Sequence, residues 1–292
     1  MVIVQITGGL GNQLFMYAAG RRLALHHRTP LKLDISAFES YGLRRYLLDR
    51  FHIAQDFASP EECAALKARA QAQASPRFGM GSLLRRRARA AVFCADDSLA
   101  GTWLPDILRT PADVYLQGYW QSEQYFKPVE QLLRDELRLK HEPAGENLAL
   151  AQTIGSVEAV SVHVRRGDYA SNPQLERLLG LLPPEYYQRA GATIAAARPS
   201  AEFFVFSDDP DWARRNLGFG RPTHFIVHNG PEAPHEDLRL MSLCRHHIVA
   251  NSSLSWWGAW LCANADKMVV APAQWFQRLP MPDLVPQGWL RL

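Results

Sequence analysis

Apolar positions fall in short runs along this chain, each followed by a stretch with helical spacing. Residues 2–6 form an apolar run that reads as a strand. A glycine turn follows, Thr7-Gly8-Gly9-Leu10-Gly11-Asn12-Gln13, and residues 14–25 read as a helix. Strand, glycine turn and helix begin a βαβ unit, and Leu31-Lys32-Leu33-Asp34 reads as its second strand. Residues 35–75 read as mainly helical and connecting, with Ser59-Pro60-Glu61-Glu62 as a helix start. Residues 114–121 alternate, carry aromatics and read as a strand ending near a cleft; 129–139 reads as a charged amphipathic helix and 141–145 as a linker. Beyond it, strands at 159–164, 202–206, 223–227, 247–250 and 267–272 alternate with helices at 184–197, 211–216, 236–244 and 259–261. That rhythm predicts an α/β fold with mainly parallel sheets. A chain of 292 residues suits two domains at ~150 residues each, placed at 1–145 and 146–292.

The most informative run is Ala159-Val160-Ser161-Val162-His163-Val164-Arg165-Arg166-Gly167-Asp168-Tyr169. Strand alternation puts the valines on one face and His163 with Arg165 on the other. The pattern predicts that the valines bury while imidazole and guanidinium point together into a cleft. Two adjacent arginines at the carboxyl end of a buried strand are costly unless an anion meets them, and the planar arginine fork suits phosphate. A structural ion pair, for instance Arg166 with Asp168, is the alternative.

Composition narrows the partners. The net charge of +3 gives no case for a general nucleic-acid binder. Four cysteines, at 63, 94, 244 and 262, have no metal-ligand spacing and read as reduced packing residues. No charged segment precedes the first strand and no run of about 18 apolar residues occurs. The expectation is a cytoplasmic protein, soluble or peripheral at the inner face of the plasma membrane. The basic stretch Arg85-Arg86-Arg87-Ala88-Arg89, flanked by apolar residues, is a candidate for contact with an anionic membrane; a solvated helix face is the commoner outcome.

In parallel sheets ligands sit at the carboxyl ends of strands. Three polar clusters lie there: His163 to Asp168, Ser207-Asp208-Asp209, and Asn251-Ser252-Ser253. The last precedes a helix and suits a phosphate nest, or simple capping. Ser207-Asp208-Asp209 would suit a metal-bound pyrophosphate, but Asp209-Pro210 also begins a helix, and a structural role is favoured. His246 and His247 point to opposite sides of one strand and do not share an ion. In the first half, Gly9 and Gly11 let a backbone approach a ligand, while Asn12 and Gln13 offer amides at a helix entrance. Gly9, Gly11 and Asp34 superficially match a dinucleotide fingerprint, but Leu14 stands at the third glycine position. A nucleotide-dependent oxidoreductase is therefore one alternative function, and a non-catalytic glycan- or nucleotide-binding module another.

Gly8-Gly9-Leu10-Gly11-Asn12-Gln13-Leu14-Phe15, His163-Val164-Arg165-Arg166-Gly167-Asp168-Tyr169, Phe206-Ser207-Asp208-Asp209 and Asn251-Ser252-Ser253-Leu254-Ser255-Trp256-Trp257 together resemble the bacterial α-1,2-fucosyltransferases. The resemblance spans nearly the whole chain. It implies a GT-B-type architecture, two Rossmann-like domains facing across a cleft, with GDP-fucose on the C-terminal one. It also implies transfer of fucose from the β-linked donor, with inversion and no obligatory metal, to the 2-hydroxyl of a galactose-terminated glycan in surface polysaccharide or glycan synthesis. Asp237 stands where α-1,6 relatives carry the carboxylate that reads guanine. Implied donor contacts are His163, Arg165, Arg166, Asp237, Asn251, Ser252 and Ser253. The base of the α-1,6 relatives has no counterpart in Ala170-Ser171-Asn172-Pro173. Asp168, just past the arginine pair, is the candidate catalytic carboxylate, with orientation of an arginine as its rival role. Arg165 is expected to stabilise the departing phosphate, with Arg166 helping. Trp256 and Trp257 wall the cleft or pack the helix.

Overall fold

The computed structural model describes residues 1–40, 44–74, 92–95 and 100–292; the basic stretch at 85–89 lies outside them. Among the described residues no helix is long and apolar enough to cross a membrane. The chain divides into two compact units, Met1–Arg138 with Met281–Leu284, and Leu139–Pro280 with Val285–Leu292. The division falls before the 141–145 stretch, and a helix, α4 (Gly145–Ser156), begins at the end of that stretch. The sequence carries no signal for the return of 281–284 to the first unit. There Asp283 donates its N–H to Gly101 O at 2.9 Å, and its carboxylate accepts from the Trp103 N–H at 2.8 Å.

The first unit is built on a parallel sheet of order β2-β1-β4-β3, with β1 Val2–Gln5, β2 Leu31–Asp34, β3 Val92–Cys94 and β4 Val114–Gln117. Val2, Ile3, Val4 and Ile6 are fully buried, as a parallel strand covered on both faces must be. Helix α1 (Leu10–His27) begins earlier than the periodicity predicts, because Gly9 already takes the extended cap conformation. Gly11, Asn12 and Gln13 therefore lie in its first turn. Helix α2 (Pro60–Ala74) starts at a reciprocal capping box. Ser59 Oγ accepts from the Glu62 N–H at 3.2 Å, and the Ser59 N–H donates to Glu62 Oε2 at 2.9 Å. Helix α3 is Glu130–Glu136.

The second unit holds a six-stranded parallel sheet of order β10-β9-β8-β5-β6-β7. Its strands are β5 Glu158–Val164, β6 Ala201–Ser207, β7 Thr223–Ile226, β8 His246–Ile248, β9 Val269–Ala271 and β10 Leu290–Arg291. Helices α5 (Gly167–Ser171), α6 (Pro173–Leu179), α7 (Pro184–Ala197), α8 (Pro210–Asn216), α9 (Pro234–Leu243) and α10 (Ser253–Leu261) connect them. Val160, Val162 and Val164 pack with Tyr186, Ile194, Phe203 and Val205 on one face. Ala159, Phe204 and Phe206 pack with Ile154, Leu240 and Met241 on the other. Each fully buried valine, leucine, isoleucine, phenylalanine or methionine among them contributes about 1.5–3 kcal/mol. From β5 the chain winds outward through β6 and β7, then crosses to β8 and winds the other way. The switch point therefore lies between β5 and β8, where an open α/β sheet leaves a crevice at its carboxyl ends.

Candidate functional site

The arginine pair sits at that switch point, just beyond β5. Strand register fixes its partner. Val164 pairs with Ser207 of β6, so the next residue of each strand brings Arg165 opposite Asp208. Arg165 Nη1 donates to Asp208 Oδ2 at 2.7 Å, and the Arg166 N–H donates to Asp208 Oδ1 at 2.8 Å. One carboxylate thus holds the guanidinium of the first arginine and the backbone of the second. Arg166 turns elsewhere: its Nε lies 3.4 Å from Asp209 Oδ2 and its guanidinium 4.1 Å from the Trp212 ring. Asp209 also caps α8, accepting from the Trp212 N–H at 3.1 Å. Among the described residues the arginines thus meet Asp208 and Asp209, and an Arg166 pair with Asp168 lies outside what they describe. Asp168 lies in the α5 turn, and its side chain is outside the described residues. Gly167 is required by close approach: a Cβ there would meet Asp208 Oδ2 at 2.6 Å.

His163 does not share an open face with Arg165. It is 8% exposed, because helices cover both faces of the sheet. Burial holds its pKa below the usual imidazole range, with Asp208 opposing and Arg165 adding to the shift. Its imidazole is buried, with Nδ1 unpartnered among the described residues, and does not open into a cleft. Ser161, on the same face, pairs with His247 Nδ1 at 2.8 Å.

Across the switch point, Asn251 follows β8. It is buried, and its Nδ2 donates to Leu179 O and Gly180 O, both at 3.0 Å. It fastens the chain after α6 to the end of β8 and is a brace for the site. Ser252 is the N-cap of α10, in extended conformation, and its hydroxyl makes no capping bond. Simple capping by serine is thus not what its side chain does. The N–H groups of Ser252 and Ser253 open a helix whose partial positive charge suits a phosphate. Trp256 and Trp257 are fully buried and pack the helix.

Asp237 lies in the first turn of α9. Its Oδ1 accepts from Asn229 Nδ2 at 2.9 Å. Asn229 is linked in turn to Asn147 at 2.9 Å, and His228 Nε2 lies 2.7 Å from the same Asn147 oxygen. Burial and then Glu236 push the Asp237 pKa up to about 6, against the Asn229 hydrogen bond. Asn229, which holds this carboxylate, and His228, which shares its Asn147 partner, follow β7 and carry no sequence motif.

In the first unit Gly8, with φ 72, supplies the left-handed residue of the turn, while Gly9 is the extended N-cap and Gly11 is buried within α1. Gln13 is fully buried and its amide is spent on backbone. It donates to Gly8 O at 2.9 Å and Arg45 O at 2.7 Å, and accepts from the Leu47 N–H at 2.9 Å. It pins the 45–47 segment and offers nothing to a ligand. Asn12 keeps one end open, its Oδ1 accepting from Gln121 Nε2 at 2.9 Å. Asp34 is consumed as well. Its Oδ1 accepts from Ser36 Oγ and its Oδ2 from the Tyr115 hydroxyl, each at 2.6 Å. Burial would raise its pKa, but the Ser36 and Tyr115 hydrogen bonds outweigh that and lower it. A carboxylate so engaged does not hold a ribose, which removes the physical basis of the oxidoreductase alternative.

Two parallel-sheet units, with an arginine pair and a helix N-terminus flanking the switch point of the second, give a fold of GT-B type. The chain belongs to glycosyl transferase family 11, which matches residues 104–287. It is 33% identical to an α-1,2-colitosyltransferase of Escherichia coli, over 100% of this chain and 99% of that protein. It is 30% identical to the O-antigen biosynthesis glycosyltransferase WbnK of Escherichia coli, over 98% of this chain and 99% of WbnK. Galactoside α-(1,2)-fucosyltransferase 1 of Bos taurus is 30% identical over 53% of this chain and 45% of its own length. Among solved structures, the α-1,6-fucosyltransferase NodZ soaked with GDP-fucose has the same fold, with TM-score 0.53 and 16% identity over 89% of this chain and 91% of NodZ.

Proposed function

We propose that the chain transfers L-fucose from GDP-β-L-fucose to the 2-hydroxyl of a β-galactoside with inversion, forming an α-1,2-fucoside in surface-polysaccharide synthesis. The observation that carries this reading is the arginine pair fixed by Asp208 at the end of β5. Cleavage of the fucose–phosphate bond leaves negative charge on GDP. A preorganised guanidinium and the N–H groups at the start of α10 would stabilise that charge as it develops. Asp208 and Asp209, the acids that in another arrangement would hold a divalent ion, are spent on the arginines and on the α8 cap, so the reading assigns charge neutralisation to arginine and no obligatory metal. A second reading is transfer of colitose, favoured by the relative of that name that matches over its full length. The two sugars differ by the 3-hydroxyl, and turnover of the two GDP-sugars side by side separates them.

In this reading Asp237 accepts from guanine N1–H and N2–H₂, which adenine lacks. Calorimetry should give GDP at least tenfold tighter than ADP, a preference lost in Asp237→Ala, since losing a hydrogen bond to a charged group costs about 1.5–3 kcal/mol. Only the carboxylate accepts both protons. With a pKa of about 6, Asp237 should bind GDP fully above that pH, and affinity should fall as pH drops through it, by at most about tenfold per unit. The stability effect runs oppositely. The native state holds this proton more tightly than a carboxyl of ordinary pKa 3.8. The stabilisation is complete below that value and is lost as pH rises through about 6. Equal affinity for GDP and ADP, or pH-independent GDP binding between 5 and 7, contradicts the assignment.

A further inference from the structure

The carboxyl ends of β1 and β4 meet in a polar contact between two carboxamides. The two strands are parallel neighbours, Val4 opposite Leu116, so the glycine turn after β1 and residues 118–122 after β4 emerge side by side. There Gln121 Nε2 donates to Asn12 Oδ1 at 2.9 Å. Gln121 is 7% exposed, and its own N–H is held by Ala100 O at 2.7 Å. The residue before it, Trp120, is fully buried and adopts φ 53, a left-handed backbone that is strained for a bulky side chain. The backbone that aims Gln121 is therefore held at a cost.

A carboxamide has two unlike ends, and its neighbour decides which way it faces. Gln121 consumes the Asn12 oxygen. The other end, Nδ2, has no acceptor among the described residues. It faces the glycine turn, 3.2 Å from where a Cβ on Gly8 would sit. Next to it Gln13 is wholly spent on backbone, so the two adjacent amides have opposite fates.

We propose that Gln121 is a positioning residue that fixes the Asn12 carboxamide with Nδ2 outward, so that Asn12 donates to an oxygen of the bound substrates, a sugar hydroxyl or a phosphate oxygen. The inference rests on the transfer reaction proposed above. Native turnover tests that reaction by itself, and the variants below are compared with the native rate.

Gln121→Glu changes one atom and reverses the lock. A carboxylate only accepts, so the Asn12 amide must turn to donate to it, and its oxygen then faces the substrate. Gln121→Ala removes the lock and leaves the amide able to turn either way. The expected order is therefore inverted relative to packing: kcat/KM falls roughly 10- to 100-fold in Gln121→Glu and only about twofold to fivefold in Gln121→Ala. Asn12→Asp keeps the bond to Gln121 and removes the outward donor, so it should match Gln121→Glu. It supplies the answer from the other side should Gln121→Glu fold poorly by thermal melting. Weakened GDP binding in Gln121→Glu assigns the oxygen to the diphosphate; unchanged GDP binding with a raised acceptor KM assigns it to the acceptor sugar. Near-native kinetics in Asn12→Asp, or a loss in Gln121→Ala as large as in Gln121→Glu, overturns the proposal.

Discussion

Replacing Arg165 by lysine is expected to lower kcat by roughly 10²- to 10³-fold, the range seen when one preorganised donor to a developing oxyanion is lost. The same change at Arg166 should cost far less. The difference follows from where each guanidinium is held. Arg165 stands at the switch point of the sheet with Nη1 on Asp208 at 2.7 Å, which orients its fork. The guanidinium of Arg166 lies 4.1 Å from the Trp212 ring and against Asp209, in the structure that begins α8. Lysine keeps the charge at 165 but is a mobile point charge without the planar fork, and it does not hold two oxygens of one phosphate at fixed geometry. Because the leaving charge is fully developed only as the bond breaks, the loss should fall on kcat more than on the KM for the intact donor. Steady-state kinetics of the two lysine variants decide it. A near-native Arg165→Lys beside an inactive Arg166→Lys would reverse the assignment.

Asp208→Ala should be nearly as damaging although the residue itself need not touch substrate. Its two oxygens hold the Arg165 guanidinium and the Arg166 N–H, so its removal releases the first arginine and loosens the turn that carries both. Loss of charge-assisted hydrogen bonds of this kind is worth about 1.5–3 kcal/mol, or roughly 10- to 100-fold. Here kcat and GDP affinity should fall together, because the misplaced arginine serves both the transition state and the released diphosphate. Asp208→Asn, which retains an acceptor for the Arg166 N–H, should fall between Ala and native. Added Mn²⁺ or Mg²⁺ should restore neither variant. Native-like rates in Asp208→Ala would remove the carboxylate from the mechanism.

The strands and the turns that carry the site were legible because each is a short apolar run ending in a polar cluster, and parallel-sheet geometry brings such ends together. The alternation in β5 was legible as pattern and misleading as exposure. In a sheet covered on both faces the polar face is buried too, so His163 is buried and Ser161 pairs with His247. Gln13 read as a ligand amide because composition does not reveal what a buried amide bonds; two of its three partners, Arg45 and Leu47, lie in a loop more than thirty residues away in sequence. Asp208 was visible as an acid at a strand end, but its role depends on the β5–β6 register, which no single run encodes. Residues 281–284 and the two-residue strand β10 carry too little periodicity to be read.

The account turns on one reaction, and proton NMR follows it directly. The native protein, treated exhaustively with EDTA, is mixed with GDP-β-L-fucose and a β-galactoside while the anomeric signals are recorded. An α-configured fucosyl group on galactose O2, with one GDP released for each, is the predicted result. A β-fucoside, attachment at another hydroxyl, or GDP release without glycoside formation would contradict it.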